Sequence, residues 1–263
     1  MMNKLTLRAI ILVAVSAVLL MACQKDKYYF DSGTQKGTYN GSILAYLKSK
    51  PVYFDTLTRV IQLAGMNDVF DKQNITFFAP TSSTIYKSVK GLNAYLRQSG
   101  KDTVSKLEQI KPEAWKEILS LYVFKGTSKL KDYPQIDTLN MAAFPGQGYT
   151  SINGRTMNIG VLYNDAVAYE GSVEKSRVKY AGYRQLFVSY IPNYADPKVG
   201  LINAPVASSD ISPTNGVVHV LAQEGYLVIP GTTSVWKSKH NFGFTTGLFI
   251  NTVQSYGISP VTP

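Results

Sequence analysis

The sequence predicts an α+β fold, in which amphipathic helices come first along the chain and strands follow. Before Gly126, apolar residues recur mainly at the three- and four-residue spacing of helices. From Leu130 onward, β-branched and aromatic residues alternate between turn signals. With 263 residues, 45% of them hydrophobic, the chain has enough apolar material for a sizeable core in one or two domains.

The N-terminus has the features of an export signal. Lys4 and Arg8 precede an uncharged apolar run over residues 9–21. That run is shorter than the roughly 20 residues that a membrane-spanning helix needs, and its flanks are those of a secretory signal. We therefore expect residues 1–22 to be a signal peptide that the mature protein lacks.

The end of this segment predicts a lipid anchor. The residues Leu20-Met21-Ala22-Cys23 resemble the lipobox of bacterial lipoproteins, which implies cleavage before Cys23 and attachment of acyl chains such as palmitate to it. A multiply acylated cysteine is a stable membrane anchor. The alternative is an incidental cysteine in an N-terminal anchor helix. We expect no cofactor beyond this covalent lipid.

The segment after the anchor predicts a leash and a location. The residues just after Cys23 form a short charged stretch, Gln24-Lys25-Asp26-Lys27, similar to the signal that sends some Gram-negative lipoproteins to the outer surface. Residues 31–40 are polar and glycine-rich. We expect 23–40 to be the lipidated cysteine with a flexible leash, and the protein to be an outer-membrane lipoprotein exposed at the cell surface.

Composition narrows the classes of partner. The chain has 27 Lys and Arg against 17 Asp and Glu, a formal charge of +10, but no dense basic block. Export also argues against a nucleic-acid partner. Because Cys23 is the only cysteine, an intramolecular disulfide or a cysteine zinc cluster is impossible. We expect the partners to be the membrane, through the lipid, and a protein or glycan at the cell surface.

Three helices are predicted in the first half. Apolar residues at helical spacing mark 54–64, and Gly65 suits a left-handed C-cap. A strand over 75–79 ends at Pro80, and the Thr81 hydroxyl is expected to cap the helix that follows it. Pro112 suits the first turn of a further helix, with Trp115, Ile118, Leu119 and Tyr122 on one face, before Gly126 ends it.

Strands and turns are predicted in the second half. Asn153-Gly154 is a strong signal for a hairpin with a type I′ turn, and residues 194–197 read as a loop. The segment 215–230 contains two apolar runs that predict a central pair of strands. The tail, 231–263, has enough aromatic residues to form an added strand pair or a loop draped over the domain.

Two separated motifs carry a family resemblance. The first follows an amphipathic helix and reads Thr76-Phe77-Phe78-Ala79-Pro80-Thr81, and the second reads Asn215-Gly216-Val217-Val218-His219-Val220. They resemble the first and second signatures of the fasciclin domain. The resemblance implies a fold with a β-sandwich or wedge core and flanking N-terminal helices, used for adhesion and generally without catalysis. Its fold-signature residues here are Phe78, Ala79, Pro80, Thr81, Asn215, Gly216 and His219.

The resemblance also has departures. Leu121 and Tyr122 stand where the family often has a Tyr-His pair, a region linked to integrin binding in animal relatives, so no integrin role is carried over. The middle of the chain is longer than usual for the family. We expect a fasciclin-like domain over 41–230 with an insertion at about 130–208, followed by the C-terminal extension 231–263.

The inventory of reactive side chains is poor for catalysis. The two histidines, His219 and His240, cannot pair with a free cysteine, and no spacing supports a metal site. His219 lies between valines and is expected to be a core residue. Nucleophile elbows and phosphate-binding glycine loops are absent from the sequence. We expect that the protein is not an enzyme. A pocket with two carboxylates facing one another would instead support a glycosidase.

Aromatic residues supply the candidate binding site. The chain has 18 tyrosines, several of them concentrated in the expected insertion, where they can stack on sugar rings or dock a protein. They can equally fill strand faces. The candidate ligand contacts are Tyr122, Tyr163, Tyr183 and Tyr190. The leading hypothesis is a surface-anchored adhesion lipoprotein that binds a macromolecule, and the alternative is a glycan-binding accessory lipoprotein for polysaccharide capture.

Overall fold

The computed structural model describes residues 37–137, 139–222, 224–228 and 235–260, with side chains described outside 224–239. The predicted signal peptide, Cys23 and most of the predicted leash lie outside the described residues. Within the described residues, no helix is both long and apolar enough to cross a membrane.

Six α-helices lie in the described residues, four of them before residue 100 and the last in the C-terminal extension. Short 3₁₀ turns at Leu107–Gln109 and Leu130–Asp132 link other elements. The helices are α1 (Ile43–Lys48), α2 (Pro51–Leu63), α3 (Asn67–Lys72), α4 (Ser82–Gln98), α5 (Pro112–Ser120) and α6 (Thr246–Tyr256).

Twelve strands occupy the described chain between residues 75 and 239. They are β1 (Ile75–Ala79), β2 (Val123–Lys125), β3 (Gln135–Ile136), β4 (Gln147–Thr150), β5 (Thr156–Tyr163), β6 (Ala166–Glu170), β7 (Val173–Val178), β8 (Arg184–Tyr190), β9 (Ile202–Ile211), β10 (Gly216–Leu221), β11 (Glu224–Val228) and β12 (Val235–Lys239).

Eight of these strands form one curled sheet in the order β2-β1-β10-β9-β8-β5-β3, with β4 also paired to β5. β1 runs parallel to β10, and β3 runs parallel to β5. The pairs β6–β7 and β11–β12 are separate two-stranded sheets. Helices come mainly before the strands, so the predicted α+β class is confirmed.

The helix predicted over 54–64 is confirmed as α2. Pro51 is at its N-terminus, and Gly65, with a φ of +67°, follows its C-cap. Glycine suits this left-handed conformation because it has no Cβ. The buried face of α2 consists of Phe54, Leu57, Val60 and Ile61.

The strand, turn and helix around Pro80 are confirmed as β1 and α4, but the predicted cap is wrong in detail. Thr81 is the N-cap residue, yet its hydroxyl makes no capping hydrogen bond to the helix backbone. It pairs instead with the Ser83 hydroxyl at 3.0 Å. The Thr81 carbonyl accepts from the Thr84 hydroxyl at 2.7 Å, which closes the first turn.

The predicted helix after Pro112 ends earlier than expected. α5 stops at Ser120, and the next residues form β2 beside β1, with Phe124 opposite Thr76. The helical spacing therefore ends before Tyr122, whose side chain is set by the bend between α5 and β2. Sheet pairing with β1 overrides the local helical pattern here.

The hairpin predicted at Asn153-Gly154 is present between β4 and β5, but its turn is not type I′. Thr150 pairs with Thr156, which leaves a five-residue loop instead of two residues. A type I′ turn needs positive φ at both central residues. Gly154 has a φ of +88°, whereas Asn153 is not among the described non-glycine residues with positive φ.

The predicted central pair of strands in 215–230 is half correct. β10 lies between β1 and β9 at the centre of the sheet. β11 leaves that sheet and pairs with β12 in a hairpin of its own. The β9–β10 pair has register shifts on both sides of Val220, close to the end of β10.

The C-terminal extension contains a helix that the sequence did not predict. α6 follows Thr245, whose hydroxyl accepts from the Leu248 amide at 3.0 Å and caps the helix. Phe249 and Val253 on α6 are buried in the same core as the other helices. The extension therefore adds β12, which pairs with β11 of the preceding segment, and a helix that packs on α4 and α5.

Candidate functional site: an aromatic groove beside the β6–β7 hairpin

The four candidate tyrosines fall into three different environments. Tyr163 and Tyr183 line one groove. Tyr190 lies at the other end of β5 and β8, because it pairs with Met157 while Tyr163 pairs with Arg184. Six residues of strand separate the two ends, a distance of roughly 20 Å. Tyr122 is in the core.

The prediction that Tyr122 contacts a ligand is wrong, because its side chain is fully buried. Its hydroxyl oxygen accepts from the amides of Gly243 at 2.8 Å and Phe244 at 3.2 Å. Its ring stacks on that of Phe244 with 4.8 Å between centroids. Tyr122 therefore joins the sheet to the C-terminal extension.

Tyr190 forms a smaller cluster with Arg155. The Arg155 guanidinium lies 4.1 Å from the Tyr190 ring centroid and 5.0 Å from that of Tyr194, so it is held between two aromatic rings. It also donates to the Ile191 carbonyl at 2.8 Å. The adjoining cavity is about 130 Å³, too small for a sugar chain or a peptide segment. We interpret this cluster as structural.

Tyr163 and Tyr183 belong to a groove of about 450 Å³, which we call the aromatic groove. Its walls come from the β6–β7 hairpin, the end of β5, the segment 179–183 and residues Asp137, Leu139 and Asn140. The aromatic groove is lined by Asp137, Leu139, Asn140, Leu162, Tyr163, Asn164, Asp165, Val167, Tyr169, Arg177, Lys179, Tyr180 and Tyr183.

Two of its tyrosines are largely exposed to solvent. The exposed fraction is 61% for Tyr169 and 63% for Tyr183. Leu139, Val173 and Val178 on the same part of the chain are also exposed. A concentration of exposed large apolar side chains marks an interaction surface more often than single exposed residues do. Tyr163 is half-buried, and the Arg184 guanidinium lies 3.5 Å from its ring centroid.

Asp165 fixes the hairpin against the end of β5. Its two carboxylate oxygens accept from the Tyr180 amide and from the Arg177 guanidinium, each at 3.0 Å. Burial alone would raise the pKa of Asp165, but these donors lower it below its ordinary value. Arg177 also bonds Glu174 at 2.7 Å. The carboxylate of Asp165 is thus a structural anion at the base of the aromatic groove.

Tyr180 shapes the groove through an unusual backbone conformation. Its φ is +60°, which a non-glycine residue rarely adopts. The Tyr180 hydroxyl donates to Asp137 at 2.9 Å, and its ring packs edge-on against Phe144 at 5.4 Å. Such strain persists only where surrounding contacts hold it, and it clusters at functional sites. Tyr180 belongs to the concentration of tyrosines that the sequence shows here, but its positive φ was not predictable from the local pattern.

The fold-signature residues meet at the β1–β10 pair. Phe78 and His219 are paired across these strands. The Asn215 side chain accepts from the Ile43 amide at 2.7 Å and donates to the carbonyls of Phe70 and Gln73. It thereby connects α1 and α3 to the start of β10. These positions are structural, and none of them lines the aromatic groove.

His219 is the core histidine that the sequence predicted. Its side chain is fully buried, its Nδ1 accepts from the Asp210 amide at 3.2 Å, and its Nε2 lies 2.9 Å from the Ser128 carbonyl. Because an amide can only donate and a carbonyl can only accept, the ring is neutral with its proton on Nε2. Burial lowers its pKa, although the Ser128 carbonyl and Asp210 oppose that shift.

The family of this chain is shown by a match to a family model. The fasciclin domain model matches residues 52–223, which is more than half of the chain. The chain belongs to the fasciclin family. Among curated proteins, none matches it. Fasciclin domains are generally adhesion domains without catalytic activity, which supports adhesion or binding for this chain too.

The fasciclin match includes the aromatic groove but not α6. It ends at residue 223, so Tyr122 connects the fasciclin domain to a C-terminal extension that begins beyond it. No cluster of three or more metal-binding side chains lies in the part of the chain that the structure describes. The groove's own side chains are suited to stacking, apolar contact and hydrogen bonding.

Because of its second histidine, His240, we expect the protein to lose stability in mild acid. His240 is fully buried, and neither ring nitrogen has a hydrogen-bond partner among the described residues. Burial, followed by the nearby Lys87 charge, lowers its pKa from 6.5 to about 3. Below pH 6.5 the unfolded chain binds a proton that the folded chain excludes, so stability falls as pH drops towards 3. At pH 5 the loss is about 2 kcal/mol.

Urea unfolding at pH 7.5 and pH 5 measures this effect. His240→Phe keeps an aromatic ring but removes the titrating group, so its stability should differ less between the two pH values, by about 2 kcal/mol. His219, with its lowered pKa, gives the remaining loss in the same direction. An unchanged pH dependence in the His240→Phe variant would show that His240 titrates normally in the folded protein.

Proposed function

We propose that this fasciclin protein is an adhesion lipoprotein of the outer membrane, exposed at the cell surface, that binds a macromolecular partner through its aromatic groove. The exposed rings of Tyr169 and Tyr183 beside that groove are the observation that carries the proposal. Exposed aromatic anchors beside pockets are typical hot spots of protein interfaces. The partly buried Asp165–Arg177 pair holds the hairpin in place before a partner arrives.

A pull-down from envelope extracts tests this site. The full chain, purified in detergent, should retain a specific protein, and the Tyr169→Ser and Tyr183→Ser double variant should retain at least about tenfold less, as expected when two aromatic anchors are lost. Tyr53→Ser, on the exposed surface of α2, is the matched control and should bind normally. Equal retention by the double variant and the wild type would contradict the proposal.

The membrane anchor has a separate test. The lipobox at Cys23 supports export, cleavage before this residue and acylation. Cys23→Ser should abolish incorporation of labelled palmitate and release the protein from the membrane fraction, because one lost anchor removes several kcal/mol of lipid burial. A variant that stays in the membrane at unchanged size would contradict lipidation. Protease treatment of intact cells then reports whether the domain faces outward.

Glycan capture for polysaccharide uptake is the second candidate function. The groove combines four tyrosine rings with the polar side chains of Asp137, Asn140 and Asn164, a mixture that also suits stacking and hydrogen bonding to sugars. On a glycan array, this function requires saturable binding that Tyr183→Ser abolishes. A protein captured in the pull-down with no glycan signal assigns the groove to adhesion.

A further inference from the structure

A second groove lies along the helix α4, and it differs from the aromatic groove in charge. Its volume is about 510 Å³, and the two grooves share no lining residue. One wall is a face of α4 that includes Tyr86, Lys90, Asn93 and Arg97. These positions lie four, seven and eleven residues after Tyr86, so they follow one helix face for about 16 Å. We call it the basic groove.

The opposite wall is the segment 104–107, and Asn93 fixes it. The Asn93 side chain donates to the Val104 carbonyl at 2.7 Å and accepts from the Val104 amide at 2.8 Å. Both polar ends of this amide are therefore used to hold the two walls together. The floor is apolar, with Ile85 fully buried and Val89 and Leu107 packed on the core. The groove is thus a preformed cleft with a hydrophobic base.

The charged side chains in the lining are all cationic. They are Lys90, Arg97 and Lys106, and none forms an ion pair within 4.0 Å with a carboxylate that the structure describes. Glu108 is adjacent to the groove, but Arg59 already binds it at 2.6 Å, and that hydrogen bond lowers the pKa of Glu108. The helix α4 itself has no acidic residue. The lining of the groove therefore carries a net positive charge.

We propose that the basic groove binds an acidic, partly apolar peptide segment of a partner protein. Three cations supply the charge complementarity, and the floor of Ile85, Val89 and Leu107 accepts apolar side chains. A sugar chain fits less well, because it carries no large apolar side chains to fill the floor formed by Ile85, Val89 and Leu107. An extended peptide of about five residues spans the 16 Å face. This binding site is independent of the function proposed for the aromatic groove.

Fluorescence anisotropy with the full chain in detergent tests the inference. The probe is a labelled short peptide of alternating glutamate and leucine, compared with a glutamine–leucine peptide and a glutamate–serine peptide. We expect the first to bind most tightly, with affinity falling between low salt and about 0.15 M salt as screening grows. Lys90→Glu with Arg97→Glu should weaken binding by roughly tenfold or more.

The control variant carries the same change in net charge at exposed lysines outside this groove, Lys131→Glu with Lys198→Glu. It should bind the glutamate–leucine peptide as the wild type does, and unfolding curves should show that both double variants are folded. Equal weakening by both variants would overturn the site, since it would reflect overall charge. Absence of binding at low salt, or equally tight competition by oligogalacturonate, would overturn the assignment to an acidic peptide.

Discussion

Replacing Gly216 with alanine is expected to destabilise the protein by at least about 3 kcal/mol, the range that severe backbone or packing conflicts produce. A Cβ at this position would meet the Ile75 carbonyl oxygen well inside van der Waals contact and would touch the Ile43 side chain at 3.0 Å. Ile75 and Gly216 are partners in the parallel β1–β10 pair. A backbone carbonyl cannot rotate away, so the central strands must separate.

Denaturant unfolding at pH 7.5 measures this loss. Gly247→Ala is the matched control, because Gly247 is exposed in the first turn of α6 and an added Cβ has only the Thr245 hydroxyl as a neighbour, at 3.9 Å. It should be neutral or stabilising by up to about 1 kcal/mol, since alanine is the better helix former. A Gly216→Ala variant that unfolds with the wild-type midpoint would contradict the close approach of β1 and β10.

Replacing Tyr122 with alanine is expected to cost about 3–5 kcal/mol, as for other large buried aromatic residues. The change opens a cavity beside Phe244 and Phe242 and removes the acceptor for two buried amides. Tyr122→Phe keeps the ring and leaves only the Gly243 and Phe244 amides unsatisfied, so we expect a smaller loss of about 1–3 kcal/mol. The loss of stability in Tyr122→Phe reports the hydrogen bonds of the hydroxyl. The additional loss in Tyr122→Ala reports the packing of the ring.

Unfolding curves and amide hydrogen exchange check this prediction together. Because Tyr122 connects the fasciclin domain to the C-terminal extension, exchange in Tyr122→Ala should rise first at residues 242–256. Tyr53→Phe, at an exposed position, is the control and should change stability by less than about 0.5 kcal/mol. A Tyr122→Ala variant with wild-type stability would show that the extension is not attached through this residue.

The predictable parts of this fold are those in which local pattern and tertiary contact agree. Apolar residues at helical spacing, followed by Gly65, predict α2, and the apolar run before Pro80 predicts β1. The sequence could not locate the end of α5, because β2 forms only through pairing with β1. α6 was missed although Thr245 is a good N-cap, since short glycine- and threonine-rich segments also suit loops.

The site was less predictable than the fold. Tyr122 and Tyr183 are chemically identical, yet the first is buried and the second is mostly exposed. That difference arises from contacts with distant residues such as Phe244 and is absent from local sequence. The concentration of tyrosines in the middle of the chain coincides with the aromatic groove, but it also includes Tyr190, which belongs to the Arg155 cluster. The sequence analysis did not single out Lys90 and Arg97, because their lack of an ion-pair partner among the described residues and their shared groove depend on tertiary contacts.

Photo-crosslinking on intact cells tests most directly whether the aromatic groove is the binding surface. A benzophenone amino acid would replace Tyr183 in one variant and Val199 in another, because their exposed fractions are nearly equal, 63% and 62%. Val199 does not line the aromatic groove. We expect a discrete crosslinked macromolecule from position 183 and none from position 199. The same crosslinks from both positions, or crosslinks from position 199 alone, would contradict binding through this groove.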